Sequence, residues 1–325
     1  MKFRQLFLVV AALVLTLQAQ HRAHAQNYPN RPIRMISPFP PGGGNDVLAR
    51  IIGAKLADRV GASIVIENRP GAGAVIGISA VAKSAPDGYT LLLSGSTLAV
   101  APTLYKKAPF DANKDFAPVA LVAHYPFLLV ATASLTAKTV PELLKLAKEK
   151  PGEIMYASPG AATSQHLFTE LLKVKTGIEL RHIPYNGTAP AVVDIVAGRV
   201  SLMFAAAAPT IPLLKDGSLR ALAVSSAARL AELPDVPPIA DAVPGFDESN
   251  WSIILAPAGT PRDIVNKLHG ELKAVMAMPE VEKQLANIGM IPIVSPSPEE
   301  LATFISTEVS RWGKIVEQAG IAGTH

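Results

Sequence analysis

The chain is 325 residues long, 49% hydrophobic and 17% charged, with 30 Lys and Arg against 26 Asp and Glu and no cysteine. That length allows two separate cores, and the missing cysteines exclude disulfides and thiol nucleophiles. The formal charge of +4 is small, and no Lys/Arg cluster is interleaved with aromatics, which excludes a nucleic-acid partner.

Lys2 and Arg4 precede an apolar run from Leu6 to Leu17, and Ala23-His24-Ala25 follows. A basic start, an apolar core too short to cross a bilayer comfortably and an A-x-A site predict a secretory signal over 1–25. It is cleaved after Ala25 and sends the rest to the periplasm of a Gram-negative bacterium. No cysteine stands near the cleavage site, so a lipoprotein anchor is not expected. The leader removes Lys2, Arg4 and Arg22, which leaves 27 basic against 26 acidic residues, a net charge of +1.

Strand and helix patterns then alternate, which predicts parallel sheets covered by helices. Strands are expected over 33–36, 64–67 and 90–93, separated by helices over 47–60 and 74–83. The run 115–122 leads to a second unit that begins near 127–130. There, helices over 141–150, 165–175, 190–197 and 209–215 alternate with strands over 155–157, 180–183, 201–204 and 220–225. The segment 233–250 is rich in proline and acid and is expected to be an irregular connection. A strand over 251–256 follows, then helices over 261–276, 279–288 and 298–319 with a short strand over 291–294. Three closing helices without three strands do not make a domain, so they are expected to fold back onto the first sheet. The chain divides accordingly into a first domain (26–126 plus 251–325) and a second (127–250).

The stretch Pro38-Phe39-Pro40-Pro41-Gly42-Gly43-Gly44-Asn45-Asp46 joins the first strand to the first helix. A strand that breaks at prolines, crosses three glycines and enters a helix exposes several backbone N–H groups at the positive end of the helix dipole, a site for an anion. Phe39, Pro40, Gly42, Gly43, Gly44, Asn45 and Asp46 are therefore candidate ligand contacts. A plain turn with Asn45 or Asp46 as N-cap would look the same. In the second unit Ser158-Pro159-Gly160-Ala161-Ala162-Thr163-Ser164 repeats this plan, with Ser158, Gly160, Thr163, Ser164 and His166 as candidates and Thr163 or Ser164 as the simple cap. Open parallel sheets place ligands at the carboxyl ends of strands, so two facing domains would aim both loops into one cleft.

Further polar groups stand at strand ends: Ser94, Ser96 and Thr97 after the strand at 90–93, and Asn186 after that at 180–183. Ala205 opens a run of four alanines, an apolar wall that suits a hydrocarbon or aromatic ligand body. Gly71, Gly73 and Gly77 have the wrong spacing for a dinucleotide loop and are expected at tight helix–strand packing or where the domains approach. Catalytic chemistry is thin. The histidines are scattered and no HExxH occurs, so no metal or cofactor is expected. A Ser164–His166 pair would suit an exported hydrolase of small esters, but no G-x-S-x-G surrounds it.

Arg31-Pro32-Ile33, Pro38-Phe39-Pro40-Pro41-Gly42-Gly43, Glu67-Asn68-Arg69-Pro70-Gly71-Ala72-Gly73 and Pro86-Asp87-Gly88-Tyr89-Thr90-Leu91-Leu92 occur in this order. Pro184-Tyr185 with Gly187, Leu219-Arg220-Ala221-Leu222-Ala223-Val224, Leu233-Pro234-Asp235-Val236-Pro237 and Ala256-Pro257-Ala258-Gly259-Thr260-Pro261 follow. Together they resemble the substrate-binding proteins of tripartite tricarboxylate transporters, the Bug-type periplasmic receptors. The resemblance implies an α/β, two-domain, type II-like periplasmic binding protein, each domain a mixed, mostly parallel sheet flanked by helices. It implies a non-enzymatic monomer that closes over a small carboxylate, a dicarboxylate or an aromatic one. Its partners would be membrane transporter subunits or a signalling protein. One carboxylate would meet amides between Phe39 and Asp46, and the second domain would contribute Ser158 to His166. Three positions depart from the family's pattern: Asn186 replaces a common basic residue, Ser201 a common Asp, and the alanines from Ala205 a polar end.

Overall fold

The computed structural model describes residues 28–324, so the expected leader, its cleavage site and His325 lie outside the described residues. Among those described, one sheet contains β1 (Ile33–Ser37), β2 (Ile64–Asn68), β3 (Thr90–Ser94), β4 (Phe116–Tyr125), β10 (Asn250–Pro257) and β11 (Ile291–Pro292), in the order β11-β4-β10-β3-β1-β2. The other contains β5 (Phe127–Thr132), β6 (Met155–Ser158), β7 (Arg181–Pro184), β8 (Leu202–Ala206) and β9 (Leu219–Val224), in the order β7-β6-β8-β5-β9. The architecture is a two-domain α/β fold with mixed sheets.

β1 pairs in parallel with β2 and β3, and β6 with β7 and β8; the pairings made by β10 and β5 are antiparallel. The reversal follows from how the chain changes sheets. Only Pro126 separates β4 from β5, so β5 enters the second sheet running against its neighbours. β10 returns beside that crossing, with Asn250 opposite Tyr125 in the ladder. β3, β5 and β10 are buried on both faces around apolar centres, residues 91–93, 127–131 and 253–256.

The helices are α1 (Gly44–Val60), α2 (Val75–Ala82), α3 (Thr97–Leu104), α4 (Val140–Glu149), α5 (Ser164–Thr176), α6 (Thr188–Val196), α7 (Ala207–Lys215), α8 (Arg262–Met276), α9 (Pro279–Ala286) and α10 (Pro298–Gln318). The sequence reading left α3 out. Its eight residues, TLAVAPTL, are apolar nearly all round and carry Pro102, so they show no 3.6-residue alternation. Burial against α10 makes it a helix.

The closing helices pack on the first sheet, α8 and α10 both lying against β4. α10 also reaches the second domain, where Trp312, 1% exposed, stacks on Phe168 of α5 with ring centroids 6.0 Å apart. Glu308 of α10 accepts from the indole nitrogens of Trp251 and Trp312, at 2.8 and 3.1 Å. The crossing is tied by Ser225, whose backbone N–H donates to Phe127 O, whose hydroxyl accepts from Phe127 N, and which donates to Glu248 O. These bonds lace the two chain passages side by side between the sheets.

Candidate functional site

Parallel pairing brings the carboxyl ends of β1, β2 and β3 to one edge of the first sheet, and those of β6, β7 and β8 to one edge of the second. The loops leaving β1, β2, β6 and β7 line a cleft of about 720 Å³. From the first sheet come Phe39 and Pro40 after β1, and Pro70 to Ala74 after β2. Tyr105 adds a ring from the end of α3. From the second sheet come Pro159 to Ala161 after β6 and Pro184 to Gly187 around the end of β7.

Of the sequence candidates, Phe39, Pro40, Gly160 and Asn186 line this cleft. Gly42, Gly43, Gly44, Asn45 and Asp46 are not among its lining residues; they continue the same turn beyond Pro40 into α1. Gly43 is the N-cap and supplies no side chain, so the first-turn N–H groups of Gly44, Asn45 and Asp46 have neither an intrahelical acceptor nor a side-chain cap. α4 and α10 differ: Thr139 and Ser297 each accept an amide of their own first turn.

Asn45 and Asp46 are not the cap. Asn45 accepts from Ser37 Oγ at 2.8 Å, which pulls its side chain under the turn. Asp46, 3% exposed, accepts from the Gly42 amide at 2.9 Å, Asn68 Nδ2 at 2.9 Å and Arg50 Nε at 3.1 Å. Burial alone would raise the Asp46 carboxyl, but Arg50, the Gly42 amide and Asn68 hold it below the usual carboxylate range. The Gly42 amide is thereby spent inside the loop. Asn68 also donates to Phe39 O at 3.0 Å, so one residue braces both ends of the turn.

The second loop is braced differently. Ser158 Oγ accepts from the Gly160 amide at 3.2 Å and lies 2.7 Å from His182 Nε2, and Thr163 donates to Gly160 O at 2.7 Å. Both hydroxyls are buried and point into their own domain. Ser164 is turned toward the first domain, 2.7 Å from Ser96 Oγ and hydrogen-bonded to Asn250 Oδ1; Asn250 in turn donates to the Tyr125 hydroxyl. Thr97 donates to Ala162 O at 3.0 Å. Ser96, Thr97 and Ser164 therefore join the domains beneath the cleft. His166 is 2% exposed and stacks on His182 at 4.1 Å, behind Ser158 rather than in the cleft. Ala205 sits opposite Leu128 in the sheet and is packed into the domain core. Ser94 is fully buried at the end of β3, its hydroxyl without a hydrogen-bond partner among the described residues.

The domains also touch at the cleft rim. Gly73 lies against the Ala161 carbonyl so closely that a Cβ would overlap it, and Gly187 packs under the Pro40 ring. Of the glycines expected at tight packing or at the domain approach, Gly73 stands at the approach, whereas Gly71 and Gly77 pack against Ile76, Arg69 and Pro38 of their own domain. Gly73 has φ +59, and Ala72, Ala74 and Ala162 have φ of 47, 85 and 63. Those three alanines are the positive-φ non-glycine residues among the described residues, and all stand at this contact. Each conformation costs about 1–2 kcal/mol and persists only where its surroundings impose it. Tyr105 braces the strained loop by donating to Ala72 O at 2.8 Å.

The sequence reading did not select Pro70 to Ala74, Tyr105, Tyr185 or Gly187 as site residues. The first group follows the predicted strand at 64–67 directly, and that position was the available signal. Tyr105 had none, because it depends on α3. Tyr185 donates to Asp194 at 2.8 Å, and burial and that carboxylate push its hydroxyl up to about 12, so it stays protonated and committed.

A family model described as the tripartite tricarboxylate transporter family receptor (TctC) matches residues 48–321. The chain is 37% identical to protein BugT of Bordetella pertussis over 323 residues, covering 98% of this chain and 99% of BugT. Its fold superposes on R. palustris Rpa4515, solved with adipate, at a TM-score of 0.84 with 36% identity, covering 91% of this chain and 99% of that one. MatC from Rhodopseudomonas palustris, solved with malate, gives a TM-score of 0.80 and 31% identity over 89% of this chain and 100% of that one. Two mixed sheets, a cleft at their strand ends and these matches along nearly the whole described chain place it among the Bug-type receptors of the tripartite tricarboxylate transporter family.

Proposed function

We propose that this chain is an exported, non-enzymatic receptor that captures a small organic carboxylate between its domains and presents it to a tripartite transporter or a signalling partner. The observation that carries the reading is the uncapped start of α1, which continues the Phe39–Pro40 wall of a cleft shared by both sheets. The carboxylate sits on the amides of Gly43, Gly44 and Asn45, and Phe39, Pro40, Gly160 and Asn186 surround the remainder. A charge-assisted hydrogen bond contributes roughly 1.5–3 kcal/mol. Two or three of them with modest apolar burial reach the roughly 8 kcal/mol of micromolar binding. The adipate and malate held by two similar proteins support a carboxylate ligand.

The leader is cleaved after Ala25, the mature receptor acts as a monomer, and the domains are 26–126 plus 251–325 and 127–250. An esterase built on Ser164 is disfavoured, because that hydroxyl is engaged by Ser96 and Asn250 at the domain junction.

Gly43 permits a clean test. Its φ of −76 suits proline, and a Cβ there meets only Pro40 O at 3.6 Å. Gly43→Pro deletes one amide donor, whereas Gly43→Ala keeps it. In a thermal-shift panel of mono- and dicarboxylates, Gly43→Ala should retain the ligand-induced shift and Gly43→Pro should lose most of it. Equal shifts in the two variants would remove the amides from the site.

A further inference from the structure

Two contacts between the domains start from neighbouring strand ends of the first sheet. Pro40, in the turn after β1, packs on Gly187, and Gly73, in the loop after β2, packs on Ala161. The last residues of those strands, Ser37 and Asn68, are partners in the ladder.

The half-buried Asn68 side chain joins the two paths. Its Nδ2 donates to Phe39 O at 3.0 Å and to Asp46 Oδ1 at 2.9 Å, while its Oδ1 accepts from Arg50 Nη2 at 3.3 Å. These neighbours fix the orientation of the amide. Turned over, it would set its oxygen against two oxygen acceptors and its NH2 against a guanidinium. The backbone repeats the tie, since Arg69 N donates to Ser37 O at 2.9 Å, and Gly77 packs against both Arg69 O and Pro38. Beyond that point the loop to Gly73 holds Ala72, Gly73 and Ala74 at positive φ, a form that persists only while its surroundings impose it.

We propose that Asn68 is the positioning residue that sets the spacing of these two contacts, so that Pro40 and Gly73 meet the second domain together. Through Phe39 it holds one wall of the cleft, and through Arg69 it holds the root of the loop that carries Gly73. The role belongs to the domain contact and is independent of which ligand the cleft takes.

Asn68→Asp removes the donor with almost no change of shape. Its carboxylate would face the Phe39 carbonyl and the Asp46 carboxylate, with Arg50 beside both; Glu67 and Arg69, paired with each other at 2.6 Å, are the flanking charges on β2. Two carboxylates on one site hold a shared proton to higher pH than either alone, and the protonated member donates again.

The chain has no cysteine, so Lys83→Cys in the first domain and Lys215→Cys in the second, both exposed, accept spin labels cleanly. Pulsed electron spin resonance on the mature protein then reads the distance between the domains. Wild type should give one narrow distribution at about pH 8 and at about pH 5, on either side of the shared carboxyl titration. Asn68→Ala should widen it roughly twofold at both, with a longer mean. Asn68→Asp should match Asn68→Ala at the higher pH and return toward wild type at the lower one. An unchanged distribution in Asn68→Ala, with a lowered melting temperature, would reduce Asn68 to a local brace of its turn and overturn the proposal. A wild-type distribution as wide as that of Asn68→Ala also overturns it, and so does Asn68→Asp that behaves alike at both pH values.

Discussion

The turn after β1 and the turn after β6 share a plan: a buried strand ends, proline and glycine bend the chain, and a helix begins without a side-chain cap. They differ in what lies over the helix start. The first is braced from below, by Asp46, Asn68 and Asn45, and its first-turn amides stay available. The second is drawn against the opposite domain, with Ser164 on Ser96 and Asn250, Ala162 on Thr97 and Ala161 on Gly73. Equal local chemistry thus leaves amides open on one side and makes a domain contact on the other. The lesson is that a helix start is an anion site only where the tertiary structure leaves it uncovered.

Three substitutions break or sharpen that contrast. The largest effect is expected from Trp312→Ala, which removes the stack that fastens α5, and with it the second turn, to α10. Emptying a site 1% exposed should cost about 3–5 kcal/mol of stability in chemical denaturation. The first turn does not depend on that stack, so the folded fraction should still bind.

Next comes Gly73→Ala, whose methyl would overlap the Ala161 carbonyl at a left-handed φ. It should hold the domains apart and weaken ligand binding by roughly 100-fold, about 2.7 kcal/mol, with a larger radius of gyration in solution scattering. A variant that closes and binds as wild type would show that the rim contact is dispensable.

The smallest effect is expected from Asp46→Asn. The Asp46 carboxyl is held below its ordinary range when folded, so its contribution is complete above the unfolded carboxylate value and is lost as pH falls through that value toward the folded one. Wild type should therefore lose stability on acidification in part through Asp46. Asp46→Asn should lower the melting temperature at neutral pH, by about 1–2 kcal/mol of stability, and flatten the acid side of the profile. Parallel profiles for the two proteins would assign the acid loss to other groups.

Strand and helix positions were legible because apolar runs and 3.6-residue spacing are local. Two elements escaped: β4, read only as a run leading to the second unit, and α3, which has no polar face to reveal its period and owes its helix to α10, some two hundred residues later in the chain. The first turn was legible too, since glycines between a strand and a helix carry the same meaning wherever they occur. Orientation was not. Ser158, Thr163 and His166 look like ligand contacts beside a glycine, but they point into their own domain because His182 and the Gly160 carbonyl wait there.

By itself the sequence determined the alternation of strands and helices, the glycine turn with its backbone donors, and the family. Each depends on neighbours along the chain or on motifs in order. The tertiary structure decided which turn stays open, which glycine bears the domain contact and which rings wall the cleft. Those outcomes depend on residues brought together across two sheets, and burial then settles whether a given amide or hydroxyl meets a ligand or another part of the protein.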